Sequence, residues 1–282
     1  MKGPVVPLLF VVLAASACGS DHEPVAEPTV SFPGMTSLEV LHEARQRMLD
    51  AGSAHSDFEF ATEGGLSISW NGVADLSFPK GDTSRERVSV DLPDLGMGPI
   101  GHVDWIVTGE VTYLHASGFG ALGAHTKWLR IGQTMRPGMR RYFGVLASQQ
   151  NDPSQIFDLL TQVVQAHEIG TQRIGSTFTD HFAGRVDIQK LLDALPNQTS
   201  SIRQGFDTLI QRLWRAGMSN LPFEAWVDQA GDLMEMRYSY PLGAVGGILN
   251  GKLTLTYSFS QIGARFQISA PPPDQVTDAA NL

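Results

Sequence analysis

The sequence predicts an α+β fold in which a curved, mostly antiparallel β-sheet is covered on its concave face by α-helices. Apolar and polar residues alternate with a period of two through most of the chain, which is typical of antiparallel strands with one buried face. Three longer segments instead carry apolar residues at helical spacing. The alternating segments outnumber the strands of a small flat sheet, so the sheet is expected to curl and to present one concave apolar face.

The first element is a helix predicted over Met35–Gly52. Ser37 or Thr36 can cap its start, and Gly52 can end it. Its apolar stripe consists of Leu38, Leu41, Met48 and Leu49. The helix is therefore amphipathic and suited to cover a sheet.

Strands are predicted next, between residues 58 and 130, with turn residues between them. Their alternation defines the face that each apolar side chain shares with its neighbours. The alternating residues are Phe58 and Phe60; Leu66, Ile68 and Trp70; Leu76 and Phe78; Val88, Val90 and Leu92; Val103, Trp105 and Val107; Val111 and Tyr113; and, in a further strand, Trp128 and Arg130.

A second helix is predicted to begin at Asp152. Asp152 is a good N-cap residue, Pro153 suits the first helical position, and Gln155 completes a capping box. The apolar face of this helix consists of Ile156, Leu159, Leu160, Val163 and Val164. Strand-like sequence returns from Thr171 to Val186.

Two further helices precede the C-terminal strands. A short helix is predicted over Ile188–Ala194, before Pro196, and a longer one from Ser200 to Ala216. The apolar side of the longer helix carries Ile202, Phe206, Leu209, Ile210, Leu213 and Trp214. The strands that follow carry Phe223, Ala225 and Val227; Met234, Met236, Tyr238 and Tyr240; Leu253, Leu255, Tyr257 and Phe259; and Phe266 and Ile268.

Residues 1–17 are predicted to be a signal peptide, with Lys2, a short apolar run and small residues at the exit. Cys18, the only cysteine, stands where a bacterial lipoprotein carries its acylated cysteine. Ala15 occupies a position that usually holds Leu, and Ala15-Ser16-Ala17 also fits ordinary secretion, which would release a soluble protein. A lone thiol is a liability in an oxidising compartment. This favours lipidation of Cys18 and an anchor on the extracytoplasmic face of the cell membrane.

Residues 18–34 are predicted to be a flexible tether, because they combine prolines and acidic residues without apolar periodicity. A single folded domain is predicted over residues 35–278, with a short tail at 279–282. The formal net charge of −9 argues against nucleic-acid partners and against broad electrostatic attachment to anionic lipid headgroups.

No sequence motif supports a catalytic site. Gly96–Gly101 and Gly118–Gly123 match G-x-G-x-x-G, but strand-like sequence follows both, whereas a dinucleotide site needs a helix directly after the glycines. The eight histidines show no paired metal-ligand spacing, and no serine lies in a G-x-S-x-G elbow. The sequence therefore predicts neither an enzyme nor a cofactor or metal site.

Several segments carry a family resemblance. They are Cys18, Leu38–Leu49 leading into Ser53–Phe58, Gly109–Leu114, Lys127–Leu129, Gly175–Thr179, Leu221–Asp228 and Ala270–Val276. The Leu-Pro-Phe-Glu-Ala-Trp-Val-Asp strand and the closing Ala-Pro-Pro-Pro are the more telling two. With them the chain resembles actinobacterial lipoproteins of the LppX/LprAFG type, which share the LolA-like half-barrel fold. The resemblance implies an apolar cavity for acyl chains and a role in binding or moving lipids and lipoglycans in the cell envelope.

The resulting hypothesis is a membrane-anchored, extracytoplasmic lipoprotein that binds or transfers lipids or lipoglycans in an apolar cavity. The sheet residues expected to line it are Phe58, Phe60, Ile68, Trp70, Val103, Trp105, Val111 and Tyr113, and the helix residues are Leu159, Val163, Phe206, Ile210 and Trp214. Each of them also suits an ordinary core position. The alternatives are a structural or sensor lipoprotein with a packed core that binds a protein partner, and an envelope hydrolase whose site has no sequence signature.

Overall fold

The structure, a computed structural model, describes residues 32–64, 67–80, 84–92, 101–109, 111–116, 126–131, 153–194, 204–245 and 251–281. The statements below concern these residues. The predicted signal peptide, Cys18 and most of the predicted tether lie outside them, as do Leu66, Asp152 and the second glycine motif.

The described strands form one sheet. Their bounds are β1 Ser53–Gly64, β2 Ser69–Ser77, β3 Arg85–Asp91, β4 His102–Thr108, β5 Val111–Ala116, β6 Trp128–Ile131, β7 Val163–Ile174, β8 Thr177–Asp187, β9 Asn220–Asp228, β10 Leu233–Pro241, β11 Gly251–Ser260 and β12 Val276–Asp278. The sheet order is β12-β6-β5-β4-β3-β2-β1-β11-β10-β9-β8-β7.

All neighbouring strands in this sheet are antiparallel except β6 and β12, which run parallel. The twelve strands curve without closing, since β7 and β12 form the two edges. The prediction of a curved, mostly antiparallel sheet in an α+β fold is confirmed, and its shape is that of a half-barrel.

Three α-helices and four 3₁₀ helices accompany the sheet in the described ranges. The α-helices are α1 Ser37–Ala51, α2 Ile188–Ala194 and α3 Gln204–Arg215. The 3₁₀ helices are Pro153–Gln162, Leu242–Val245, Pro273–Gln275 and Ala279–Asn281. α1 packs against β1, β7, β9 and β10, and the 3₁₀ helix Pro153–Gln162 packs against α1, α2 and β8.

The ends of α1 follow the local signals in the sequence. The Glu39 backbone N–H donates to the Thr36 hydroxyl at 3.3 Å, and the Thr36 backbone N–H donates to the Glu39 carboxylate at 2.7 Å. These two bonds form a capping box. Gly52 follows the helix with φ 70°, a left-handed conformation that glycine adopts without strain. The predicted helix is confirmed.

The prediction of the second helix is wrong in helix type and in the position of the C-terminal end. The segment Pro153–Gln162 is a 3₁₀ helix, and Val163 and Val164 begin strand β7. Val163 pairs with Val186 of β8. β-branched residues favour the strand, and the sheet pairing overrides the helical spacing that the sequence shows up to Val164. β7 therefore starts well before the predicted Thr171.

The C-terminal segment also differs from the prediction. Phe266 and Ile268 lie in irregular chain rather than in a strand, although Ile268 is buried. The last strand is instead β12, which pairs with β6 at the sheet edge. Ala279 follows it and is also buried, so the packed part of the described chain extends past residue 278.

Buried apolar side chains form two clusters. The main cluster joins α1, α2, α3 and the 3₁₀ helix Pro153–Gln162 to strands β1–β3 and β7–β11. The second cluster consists of Val90, Val103, Leu114, Ala116, Leu129, Ile131 and Ala279. Phe58 and Trp105 pack against both clusters. Phe32 packs against the main cluster, so the chain contacts the domain before residue 35.

Candidate functional site

The register brings most of the predicted sheet residues to one face. Phe60 lies opposite Trp70, and Phe58 lies opposite Gly72 on one side and Tyr257 on the other. Residues directly opposite each other in a sheet share a face. The row of Phe58 and Gly72 continues through Val90 to Val103, and the next row on the same face runs from Ala74 through Val88 to Trp105. This face carries both buried clusters and is the concave face of the half-barrel.

A line of aromatic rings crosses the centre of this face. We call Tyr238, Tyr257, Phe58, Phe60 and Trp70 the aromatic strip. Tyr238 and Tyr257 stack at 6.2 Å between ring centroids, Tyr257 and Phe58 lie 6.3 Å apart, and Phe58 meets Phe60 edge to face at 6.0 Å. Phe60 stacks on Trp70 at 5.1 Å. The strip thus runs over four adjacent strands, β10, β11, β1 and β2.

The strip differs from the core beside it in exposure. Phe58, Phe60, Trp70, Tyr257 and the neighbouring Trp105 are half-buried. The rest of the strip, Tyr238, is only 5% exposed, and residues of the main cluster such as Leu41 and Ala225 are fully buried. Large aromatic surfaces that remain partly uncovered on a concave face are typical of ligand sites.

Gly72 is needed for the position of the Phe58 ring. A Cβ atom at residue 72 would lie 2.4 Å from Phe58 Cζ and 2.6 Å from the Ser89 backbone oxygen. Both distances are well below van der Waals contact. The missing side chain lets the Phe58 ring lie flat on strand β2, which keeps the ring close to the sheet.

Polar groups also lie on the concave face. The Trp105 indole Nε1–H donates to the Glu86 carboxylate at 3.0 Å, and Glu86 is 7% exposed. Tyr238 and Tyr257 are joined by a side-chain hydrogen bond, and burial raises the pKa of both phenols. The Thr112 side chain is buried, and its hydroxyl has no hydrogen-bond partner.

The remaining predicted lining residues divide into several groups. Ile68 is half-buried, and its backbone N–H donates to the Thr62 hydroxyl at 2.9 Å. Leu159, Val163 and Ile210 are buried in the main cluster. Phe206 belongs to α3, but its side chain lies outside the described residues.

Val111 and Tyr113 do not lie on the concave face. Val107 pairs with Thr112, and Trp105 pairs with Leu114, so the concave face continues through the even-numbered residues of β5. The two-residue hairpin loop after Thr108 sets this parity. Val111, Tyr113 and Leu114 all suit burial, so alternation alone does not identify the inner face of β5. The sequence signal for the tight turn is the glycine at 109, whose φ is 63° in the structure.

Trp214, the last of the predicted lining residues, is not part of the buried core. It is 43% exposed at the end of α3, whereas Ile210 and Leu213 on the same helix are buried. Both Leu213 and Trp214 lie one helical turn beyond Ile210. Only Leu213 of these two is turned toward the core.

The prediction missed Gly72, Glu86, Thr112, Tyr238 and Tyr257 as site residues. Tyr238 and Tyr257 both lie in predicted strands, but Tyr238 pairs with Leu255 and Tyr257 pairs with Met236. Their contact is diagonal across the two strands, and it depends on a register that alternation does not define. Glu86 stands between Arg85 and Arg87, a pattern that is usual for a solvent-exposed segment. The sequence offered no signal that its carboxylate turns inward.

Within the described ranges, no group of histidine, cysteine or acidic side chains has the arrangement of a metal site. The histidines that do contact carboxylates there lie on the convex face: His55 with Asp75 at 2.8 Å, His102 with Asp91 at 2.7 Å and with Asp104 at 3.1 Å, His115 with Asp104 at 3.2 Å, and His181 with Glu224 at 3.2 Å. None of the helices in these ranges has the length and apolar character of a membrane-spanning segment.

No family model and no curated protein sequence matches the chain. Solved structures do. LprF from Mycobacterium bovis is 14% identical with a TM-score of 0.49, over 83% of this chain and 96% of LprF. The lipoprotein LppX from Mycobacterium tuberculosis is 14% identical with a TM-score of 0.45, over 83% of this chain and 100% of LppX.

A LolA superfamily protein from Nitrosomonas europaea is 8% identical with a TM-score of 0.27, over 85% of this chain and 96% of that protein. The solved structures thus include two mycobacterial lipoproteins, LprF and LppX, of the type that the sequence resembles. Identities this low do not identify a ligand for this chain.

Proposed function

We propose that the protein is an extracytoplasmic lipoprotein, anchored through Cys18, that binds or transfers lipids or lipoglycans without a catalytic step. Their acyl chains would lie against the aromatic strip on the concave face. One observation carries this proposal: Phe58, Phe60, Trp70 and Trp105 stay half-buried on a face whose neighbouring apolar residues are buried.

The energetics of such a site favour hydrocarbon. Each apolar Å² that an acyl chain removes from water on both surfaces contributes roughly 25 cal/mol. Part of this gain offsets the loss of translational and conformational freedom on binding. Because ring faces have no directional demand on an alkyl chain, the strip would select for apolar length rather than for one headgroup.

The chain N-terminal to the domain supports the proposed location. A signal peptide followed by Cys18 would place a diacylated residue in the membrane. Since Phe32 packs on the domain, residues 18–31 would form the tether, with a reach of about 46 Å when fully extended, at roughly 3.3 Å per residue. The domain would stay within reach of the membrane surface.

The anchor can be tested by replacing Cys18 with Ser. We expect the wild-type protein to incorporate an alkyne-labelled fatty acid and to sediment with membranes, and the variant to do neither. Equal labelling of the two proteins would contradict acylation at Cys18. Release of both into the medium would favour the ordinary secretion signal instead.

The lipid site can be tested with two tryptophans of similar exposure on opposite faces. Trp70 belongs to the aromatic strip, whereas Trp128 lies on the convex face, where its ring contacts His115 at 5.5 Å between centroids. We expect Trp70→Ala to weaken binding of a fluorescent fatty acid by about tenfold, and Trp128→Ala to leave it unchanged.

Native mass spectrometry of the protein purified from its own membranes gives an independent measurement. A co-purifying lipid that is lost from Trp70→Ala and kept by Trp128→Ala supports the proposal. Wild-type protein that is free of lipid and does not bind the fluorescent fatty acid would contradict it. That outcome would favour a structural or sensor lipoprotein with a packed core.

A further inference from the structure

The chain between β11 and β12 connects the middle of the sheet to its edge. We define this connection, residues 261–275, as the C-terminal strap, strands β2–β6 and β12 as the edge half, and strands β1 and β7–β11 as the helix-covered half. We propose that the strap braces the edge half against a change of curvature and thereby slows the release of bound lipid. The lipid part of this inference rests on the proposed function.

The strap is bonded to the sheet at three strands. At β1, the Gly263 backbone N–H donates to the Ser53 backbone oxygen at 2.9 Å, and the Ser53 hydroxyl donates to the Ala264 backbone oxygen at 2.7 Å. At β3, the Arg87 guanidinium donates to the Gln267 backbone oxygen at 3.0 Å. At the end of the strap, β12 pairs with β6. The strap therefore links the helix-covered half to the far strands of the edge half.

The register places the strap on the convex side of the sheet. Ala54 and Val88 belong to the main cluster on the concave face, so their neighbours Ser53 and Arg87 point to the convex face. The strap leaves β11 at the end of the sheet where β1 begins. β12 starts beside Trp128, the first residue of β6, which lies at the opposite end. The strap thus crosses the convex face diagonally.

Apolar side chains lie between the strap and the sheet. In the strap, Phe266 is half-buried and Ile268 is 4% exposed, whereas Gln267 between them is exposed. Ile106 lies opposite Arg87 and so faces the convex side, yet it is only 6% exposed. Neither isoleucine belongs to the two concave clusters. Because Arg87 also reaches Gln267, we infer that the adjacent Ile268 covers Ile106.

This cover accounts for the apolar convex positions of β5. Tyr113 is half-buried and lies opposite Ile106, and Val111 is half-buried on the same face. An antiparallel strand with one face in water usually carries polar residues there. The edge half is therefore packed on its convex side by the strap, whereas the other half is packed on its concave side by helices.

A change of curvature between β1 and β6 must shift the strap against the sheet. The ladder between β1 and β2 and the main cluster also join the halves, but the buried residues of that cluster stop at β3. The strap reaches β6. Because it is bonded at β1, β3 and β6, bending the sheet in either direction breaks contacts. Local opening of the edge half is then less frequent, and a lipid on the concave face leaves more slowly.

Hydrogen exchange of the full chain tests the brace. In Ile268→Ala, we expect the backbone amides of β4, β5 and β6 to exchange about tenfold faster, while those of β9 and β10 keep their protection. Gln267→Ala is the matched control, because its side chain is exposed and its backbone oxygen still accepts from Arg87. Unchanged exchange in Ile268→Ala, or an equal loss of protection in β9 and β10, would overturn the brace.

Arg87→Met is a milder second variant that leaves the apolar contacts of the strap in place. It removes the bond to Gln267 and should speed exchange in β4, β5 and β6 by about threefold. Arg85→Met, on the same face of β3, is its control and should leave exchange unchanged. Equal behaviour of the two arginine variants would overturn the role of the bond.

The effect on lipid is measured as the rate at which a bound fluorescent fatty acid leaves for an excess of acceptor vesicles. We expect Ile268→Ala to release it about fivefold faster than the wild type, and Gln267→Ala to release it at the wild-type rate. Faster hydrogen exchange with an unchanged release rate would overturn the control of lipid release and leave the brace. Wild-type protein that binds no fatty acid would overturn the proposed function itself, and hydrogen exchange would still decide the brace.

Discussion

The two halves of the sheet are built differently. In the helix-covered half, β1 and β7–β11, α1 and the 3₁₀ helix Pro153–Gln162 pack on the concave face, and residues such as Leu41 and Met48 are fully buried. The edge half, β2–β6 and β12, holds the smaller second cluster, and the buried residues of the main cluster reach only its first two strands, β2 and β3. Trp70 of β2 and Trp105 of β4, both in this half, are half-buried.

The difference assigns separate roles to the two halves. A fully covered apolar layer contributes most of the hydrophobic free energy of folding, and a partly covered one keeps surface for a ligand. Phe58 packs against both clusters, so the proposed site lies at the junction of the halves. Substitutions in the helix-covered half should therefore change stability first, and those at the junction should change binding first.

The largest expected effect is in the helix-covered half. Leu41→Ala removes a side chain that is 0% exposed and leaves a cavity between α1 and the sheet, which should lower the free energy of unfolding by about 3 kcal/mol. Urea denaturation measures it, and Glu43→Ala on the exposed side of α1 should have almost no effect. Folded Leu41→Ala should bind lipid as the wild type does. A parallel loss of binding would show that the halves are not separable.

At the junction, Gly72→Ala introduces an overpacked contact. The new methyl group would meet the Phe58 ring and the Ser89 backbone oxygen, which should cost about 2 kcal/mol in the free energy of unfolding. The displaced Phe58 ring should also weaken lipid binding. Gly243→Ala is the matched control, because a Cβ at residue 243 would have no neighbour within 4 Å. Equal stability of the two variants would argue against the flat ring position.

Local signals in the sequence were sufficient where a segment's structure depends on its own residues. The capping residues Thr36 and Glu39 and the terminal Gly52 define α1 within a few residues. The strands of the meander were likewise recognisable from alternation, and the short helix Ile188–Ala194 has the predicted bounds.

Structure that depends on distant partners could not be predicted in this way. β12 has three residues, and it forms because Val276 pairs with Trp128 far away in the chain. The inner face of β5 is set by its hairpin with β4, since Tyr113 and Leu114 are both suitable for burial. Glu86 turns inward because its row in the sheet places it opposite Leu76 and Val107, which the sequence around Arg85 and Arg87 does not show.

The last effect depends on pH and concerns a buried charge in the helix-covered half. Asp180 lies opposite Val227 and Thr171, is 0% exposed, and has one carboxylate oxygen without a partner. Burial raises its pKa to about 6, and the charge of Glu168 adds to this, against a weaker opposing effect of the Thr171 hydroxyl. The folded state thus holds this proton more tightly than the unfolded chain, where the carboxyl has its ordinary pKa of 3.8.

The sign of the pH dependence follows from this difference. Between pH 3.8 and about 6, the folded protein binds more protons at Asp180, so stability falls as the pH rises through this window and stays lower above it. Asp180→Asn removes the ionisation and should be more stable than the wild type by about 2 kcal/mol at pH 8, with little difference at pH 4. Urea denaturation at both values measures this, with the exposed Asp57→Asn as control. A stability difference that is the same at pH 4 and pH 8 would show that the carboxylate is solvated, and that the covered half does not exclude water as tightly as its packing indicates.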